Sequence, residues 1–144
     1  MAHITATPFK INNMELKNRI IMLVMHTGFA TGGVLTEQDK AFFEERAKGG
    51  AGAITQVCGV SDYGAADNMP NVKEESFFEK EKEITDMIHS YGTKHIVQLF
   101  HRGRNSGSNY GLKPVAPSNV PSSIYRNECD VLTKEQIEQT IKDF

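Results

Sequence analysis

Three short apolar segments of this chain lead into side chains that can carry a proton or form hydrogen bonds. The segments are residues 20–25, 51–57 and 94–99, and the polar side chains within or just beyond them are His26, Cys58, Gln98, His101 and Arg104. Imidazole and thiol groups can carry a proton, a carboxamide both donates and accepts, and a guanidinium donates to anions. Their repeated position indicates one ligand site assembled from several strands.

A helix is predicted after each of the first two segments. Thr36 is suited to cap a helix over residues 37–48, with acidic residues in its first turn and Gly49-Gly50 as its stop. A second helix is predicted over residues 75–91. Its apolar side chains share one face, and its charge run EKEKE at residues 79–83 is interpreted as a solvated face.

The three apolar segments are too short for typical helices and are therefore predicted to be strands. A strand, loop and helix that repeat in this order indicate a parallel α/β sheet with right-handed crossovers and helices on its outer side. Ligands of such proteins bind at the carboxyl ends of the strands. We therefore expect Gln98, Met25, His26 and Cys58 to converge at that edge.

Outside these units the sequence predicts three further features. Asn12-Asn13 suits the two-residue turn of a hairpin, because asparagine tolerates a positive φ. Residues 101–131 are rich in glycine and proline and are predicted to form one long loop. Thr133 and Gln136 form a capping box that opens a third helix, which has no stop signal before Phe144.

The composition excludes several classes of protein. A chain of 144 residues has the length of one domain, and its net charge of −2 argues against nucleic acid or an anionic membrane as the main partner. We find no secretory signal and no apolar run of the ~20 residues that span a bilayer. Cys58 and Cys129 lie far apart without a CxxC motif, which predicts neither disulfides nor a metal site. A cytoplasmic location is expected.

Five motifs in order resemble the Old Yellow Enzyme family of flavoproteins. They are TPFKINNMELKNRIIMLVMHTGF, FFEERAKGGAGAIT, VQLFHRGR, PVAPS and LTKEQIEQTIKDF, and together they span about residues 5–144. The VMHTG segment is most similar to the 2,4-dienoyl-CoA reductase and enoate reductase branch. The resemblance implies a TIM (β/α)8 barrel, of which this α/β chain is the amino-terminal part, with about three β/α units. Residues 1–144 then form a single incomplete FMN-binding domain.

The resemblance also implies which residues contact FMN. Val24, Met25 and His26 match positions that contact the isoalloxazine ring. Cys58 matches a position where a small residue lets the backbone approach the pyrimidine edge. Gln98 matches a carboxamide whose donor and acceptor suit the adjacent C2=O and N3–H of the flavin. A donor at His26 can stabilise negative charge on the reduced flavin.

Other roles remain open for three of these side chains. From the residues alone, a solvated histidine at a strand end is the favoured interpretation of His26. His101 and Arg104 are candidate contacts for the flavin or for an anionic group of the substrate. They could also pair with a neighbouring carboxylate.

The resemblance implies an FMN-dependent oxidoreductase that reduces activated C=C bonds with NAD(P)H, acting on a small-molecule enone, enoate or enoyl-CoA and able to form a homo-oligomer. The family's catalytic residues have no match within residues 1–144, and an iron–sulfur cluster and FAD are expected only in a longer parent chain. We therefore expect the 144-residue chain to be inactive alone. The alternatives are a non-catalytic flavin- or nucleotide-binding half-barrel and an inert truncated gene product.

Overall fold

A three-stranded parallel sheet forms the centre of the fold. The computed structural model describes residues 3–61, 68–106 and 113–144. The sheet strands are β3 (Ile21–Met25), β4 (Ala53–Gly59) and β5 (Lys94–Phe100), in the order β3-β4-β5 and with both pairings parallel. The intervening helices are α1 (Glu37–Lys48) and α2 (Glu75–Ser90). The predicted parallel β/α units are confirmed.

Strand β4, predicted over residues 51–57, begins two residues later, at Ala53. Gly52 lies where the chain passes the start of β3, and its N–H donates to the carbonyl of Ile20 at 2.8 Å. A Cβ at Gly52 would lie 2.6 Å from the carbonyl oxygen of Asn18. Glycine is therefore needed for this close approach of two backbone segments.

An antiparallel hairpin precedes the sheet. Its strands are β1 (Phe9–Ile11) and β2 (Met14–Leu16), and Ile11 pairs with Met14 across the predicted two-residue turn. Asn12 has a φ of +47°, the left-handed conformation that asparagine tolerates. The hairpin prediction is confirmed.

The hydrophobic core lies between the sheet and the two helices. Alternation along β4 directs Ile54 and Cys58 towards the helices, where they pack with Phe43 of α1 and with Ile84 and Ile88 of α2. All five side chains are buried. The apolar face predicted for α2 is the one that packs on the sheet.

The interpretation of the EKEKE run as a solvated face is wrong at Glu81. This carboxylate is largely buried beneath α2 and accepts a hydrogen bond of 2.7 Å from Nε2 of Gln56 on β4. Its neighbours in the run, Lys80 and Glu83, pair with each other at 2.7 Å on the exposed side of the helix. Helical spacing turns Glu81 towards the sheet, and a charge run does not reveal that direction.

The prediction of one structureless loop over residues 101–131 is also wrong. A short 3-10 helix covers Gly103–Asn105. Strand β6 (Val115–Ala116) pairs in parallel with β7 (Asp130–Val131). Helix α3 (Lys134–Asp143) follows, and its first turn carries the predicted capping box. None of the helices in the described ranges is long and apolar enough to cross a membrane.

Candidate functional site

The strand register brings the carboxyl ends of β3, β4 and β5 to one edge of the sheet. Met25 pairs with Gln56, and Gly59 pairs with Phe100. The loops beyond β3 and β4 are also joined, because the N–H of Asn71 donates to the carbonyl of Gly33 at 2.8 Å. This edge is where the sequence predicts a ligand site.

Gln98 lies on the face of β5 that points away from the helices. In the register it stands beside Val57, whereas His95, three residues earlier, stands beside Ile54 of the helix-facing core. Gln98 is exposed, so both polar atoms of its carboxamide are accessible to a ligand. Its place near the carboxyl edge is the place that the flavin hypothesis requires.

His26 is exposed at the end of β3 and is held by one hydrogen bond. Its Nε2 lies 3.0 Å from the backbone carbonyl of Asn68. A carbonyl only accepts, so Nε2 carries the hydrogen and Nδ1 has no partner among the residues the structure describes. Nδ1 is therefore the ring atom that a ligand could meet.

The two residues before His26 are also accessible. Val24 is 36% exposed and Met25 56% exposed. The pairing of β3 with β4 is irregular between Met22 and Met25, which separates the regular part of the strand from its end. Contact of Val24 and Met25 with a flavin ring remains a prediction.

The side chain of Cys58 does not face this open surface. It is buried in the helix-facing core, and burial together with the charge of Glu81 raises the pKa of the thiol to about 12. The thiol is therefore protonated and inert near neutral pH. Only the backbone of Cys58 remains available for the predicted contact with the flavin.

His101 and Arg104 make contacts within the chain. Nδ1 of His101 accepts from the N–H of Gly103 at 3.0 Å, and burial lowers the pKa of the ring. Arg104 donates to the carbonyl of Val120 at 3.0 Å and lies 3.5 Å from the hydroxyl of Ser118. These contacts support a structural role in holding the following segment, and contact with an anion or a substrate remains a prediction.

Glycine is required where the loops beyond β3 and β4 meet. Gly33 has a φ of +77°, and a Cβ there would lie 2.7 Å from Cγ of Glu74 and 3.3 Å from Cβ of Asn71. A side chain at this position would force the two loops apart. Gly33 is therefore explained by packing at the site edge.

Sequence reasoning missed a buried polar cluster behind the sheet. Gln56 of β4 and His95 of β5 both face α2, where Glu81 lies 3.3 Å from Nδ1 of His95 and Thr85 lies 2.9 Å from the same atom. Strand alternation from Ile54 would have placed Gln56 on the helix side. The cluster lies on the opposite face of the sheet from Gln98 and is therefore not part of the candidate site.

The arrangement suits a planar ligand with hydrogen-bonding edges more than a metal ion. The open face offers a carboxamide at Gln98, and an exposed imidazole at His26 and the end of β4 lie at the same edge of the sheet. No group of three or more histidine, cysteine or acidic side chains in the described ranges can hold a metal ion. A flavin ring combines the adjacent carbonyl and N–H groups that a carboxamide can bind.

Comparison with known proteins identifies the family to which these features belong. Residues 6–144 match the model of the NADH:flavin oxidoreductase / NADH oxidase family. The chain is 34% identical over 140 residues to a metal reductase of Desulforamulus reducens, covering 96% of this chain and 21% of that protein. It is 33% identical over 148 residues to a cinnamate reductase of Clostridium sporogenes, covering 95% and 22%.

The chain thus spans about a fifth of the length of these curated relatives. Their identities to this chain are similar and their names differ, so the branch of the family is not resolved. The match corresponds to an amino-terminal portion of the family.

The fold is similar to solved Old Yellow Enzyme structures. The homologue from Zymomonas mobilis superposes with a TM-score of 0.85 at 28% identity, over 96% of this chain and 42% of that one. The prediction of a partial TIM barrel is confirmed. The experiments below use a hybrid barrel, in which residues 6–144 of this chain replace the matching segment of the Zymomonas mobilis protein.

The hybrid barrel allows the charge state of His95 to be measured. Burial lowers the pKa of His95 to about 4, against 6.5 when the ring is solvated. Because the unfolded chain binds the proton more readily, His95 should cost stability as the pH falls from 6.5 to 4, by up to roughly 3 kcal/mol. Burial raises the pKa of Glu81, which acts in the opposite direction.

The comparison with His95→Gln isolates the contribution of the histidine. The free energy of unfolding of the hybrid and of its His95→Gln variant is measured with urea between pH 4 and 7. Below pH 6.5, the value for the hybrid should fall steadily relative to that for the variant. Parallel pH profiles for the two proteins would contradict a neutral, buried His95.

Proposed function

Because the chain belongs to the NADH:flavin oxidoreductase / NADH oxidase family, we propose that it forms the part of an FMN site contributed by the first three strands of a barrel. The enzyme completed by such a barrel would reduce activated C=C bonds with NAD(P)H. The observation that carries the proposal is the exposed carboxamide of Gln98, on the face of β5 that points away from the helices and near the carboxyl edge of the sheet.

The described residues fit this cofactor. Gln98 would donate from Nε2 to a ring carbonyl and accept at Oε1 from the neighbouring ring N–H. His26 would use Nδ1, because its Nε2–H already donates to Asn68 at 3.0 Å. The backbone around Cys58 and Gly59 would border the ring, with the thiol turned away from it.

FMN, when bound, would carry hydride between NAD(P)H and the alkene. This chain's own side chains would bind and orient the ring. A donor at His26 would stabilise negative charge on the reduced ring. The substrate is proposed to be an enone, enoate or enoyl-CoA, with the enoate reductase and dienoyl-CoA reductase branch as the working assignment.

Binding without turnover is the second candidate for the 144-residue chain by itself. The open inner face of the sheet favours this alternative, since Leu23 on β3 is 76% exposed where a complete barrel would pack side chains. A flavin bound there would lack the remaining walls of the barrel.

The hybrid barrel tests the proposal directly. It should purify with bound FMN and oxidise NAD(P)H in the presence of an enone or a cinnamate. The unmodified Zymomonas mobilis homologue, handled identically, is the control for the remainder of the barrel. A folded hybrid without flavin would contradict the proposed site, whereas a yellow hybrid without turnover would support the binding-only alternative.

A further inference from the structure

A buried carboxylate connects helix α1 to the loop that carries His26. The side chain of Asp39 is fully buried, and both of its oxygens accept hydrogen bonds. Oδ1 accepts from the hydroxyl of Thr27 at 2.6 Å. Oδ2 accepts from the backbone N–H of Thr36 at 2.9 Å and lies 3.1 Å from its hydroxyl.

These contacts fix the geometry of the loop from two sides. A buried carboxylate is costly unless donors surround it, so its three contacts resist rearrangement. Helix α1 is in turn held against the sheet by Phe43 and Ala47, which are both buried. A continuous path of packed and hydrogen-bonded groups therefore runs from the core through Asp39 to Thr27, the residue next to His26.

A helix cap alone does not explain this arrangement. Capping of α1 requires only the bonds between Asp39 and Thr36, which lie three residues apart. The short bond to Thr27 spans twelve residues and ends beside the exposed imidazole. Gly28 follows with a φ of +76°, the left-handed conformation that favours glycine.

We propose that Asp39 is a positioning residue that holds Thr27, and through it the imidazole of His26, at the open face of the sheet. This inference rests on the proposed FMN site and deepens it, because it assigns the placement of one ring contact to a residue that does not touch the ring. The bond that carries the effect is Thr27 Oγ1 to Asp39 Oδ1.

Two matched threonine variants separate positioning from capping. Thr27→Val removes the bond to the loop and leaves the Asp39–Thr36 contacts intact. Thr36→Val removes the cap hydroxyl, which lies 3.1 Å from both Asp39 Oδ2 and the carbonyl of Phe29, and leaves the Asp39–Thr27 bond. Asp39→Ala removes both, while Asp39→Asn can keep them by accepting from Thr36 and donating to Thr27.

The experiment uses the hybrid barrel and two readouts. The first is the ¹H–¹³C resonance of the His26 imidazole, assigned with His26→Gln. The second is the visible absorption band of bound FMN, together with the FMN dissociation constant. Thr27→Val and Asp39→Ala should shift the His26 resonance and the flavin band and weaken FMN binding roughly tenfold.

The remaining variants should leave these signals in place. Asp39→Asn should restore most of the parent spectrum, and Thr36→Val should lower the unfolding temperature without moving the band. The double variant Thr27→Val/Asp39→Ala should shift the resonance little more than Asp39→Ala alone, because both changes remove the same bond.

Specific results would overturn the inference. It fails if Thr27→Val leaves the His26 resonance and the flavin band unchanged, or if Thr36→Val moves them as far as Thr27→Val does. A hybrid that binds no FMN would contradict the proposed function, and the His26 resonance would still report whether Asp39 positions the ring.

Discussion

Replacement of Gln98 by leucine in the hybrid barrel is expected to raise the dissociation constant for FMN by about 100-fold. Leucine has nearly the same size but neither donates nor accepts a hydrogen bond. The ring carbonyl and N–H that are proposed to face Gln98 would then be removed from water without partners, and each unpaired group costs about 1–3 kcal/mol. No other described side chain on this face of β5 offers a carboxamide.

Quenching of FMN fluorescence during titration of the hybrid, prepared free of flavin, measures this effect. Gln139→Leu is the matched control, because Gln139 is an exposed glutamine whose amide donates to Asp143 within α3 rather than to the sheet. The control should bind FMN as the parent does. Equal dissociation constants for Gln98→Leu and the parent would remove Gln98 from the site.

The position of Gln98 could be predicted because its signals are local. Four apolar residues (Ile96, Val97, Leu99 and Phe100) and the preceding Gly92 locate the strand, and alternation then fixes the side of each residue. The same local signals locate β3, α1 and α2 to within one or two residues. Alternation alone cannot say which face of a strand meets a ligand. The resemblance of the VQLFHRGR motif to the family supplies that assignment for Gln98.

Two errors show what local patterns leave out. Glu81 lies in a run of alternating charges. Its burial results from packing against the sheet, where it contacts Gln56 of β4. Strands β6 and β7 are two residues long and pair across a separation of 15 residues, so neither carries a readable period. Both features depend on tertiary contacts rather than on the neighbouring sequence.

Asp39 illustrates a third case, because the sequence predicts acidic residues in the first turn of α1 and the structure gives one of them a second contact. Its place in the first turn of α1 is explained by the helix dipole and the capping box. The bond to Thr27 is a tertiary contact that the same carboxylate makes with its other oxygen. Sequence patterns identify the cap but cannot show that it also holds the site loop.

The 144-residue chain alone is expected to be associated or only partly folded, to bind FMN weakly and to show no alkene reduction. Among the described strands, β3 and β5 are the edges of the sheet, so each has one side of unpaired N–H and C=O groups. The inner face also exposes apolar side chains, of which Leu23 at 76% is the largest case. A closed barrel would bury several hundred Å² of apolar surface that this sheet leaves in water. At ~25 cal/mol per Å², this loss costs on the order of 10 kcal/mol, which is comparable with the stability of a whole domain.

Sedimentation velocity and thermal unfolding of the purified chain test this expectation, and two lysine variants identify its cause. Leu23→Lys and Leu99→Lys place charge on exposed residues of the two edge strands, so each should reduce association if the open sheet drives it. Ile4→Lys is the control, because Ile4 is 64% exposed in the 3-10 helix that precedes the hairpin. A monomer with a sharp thermal transition, stoichiometric flavin and NAD(P)H-dependent alkene reduction would show that three β/α units suffice, and that the open face needs no covering.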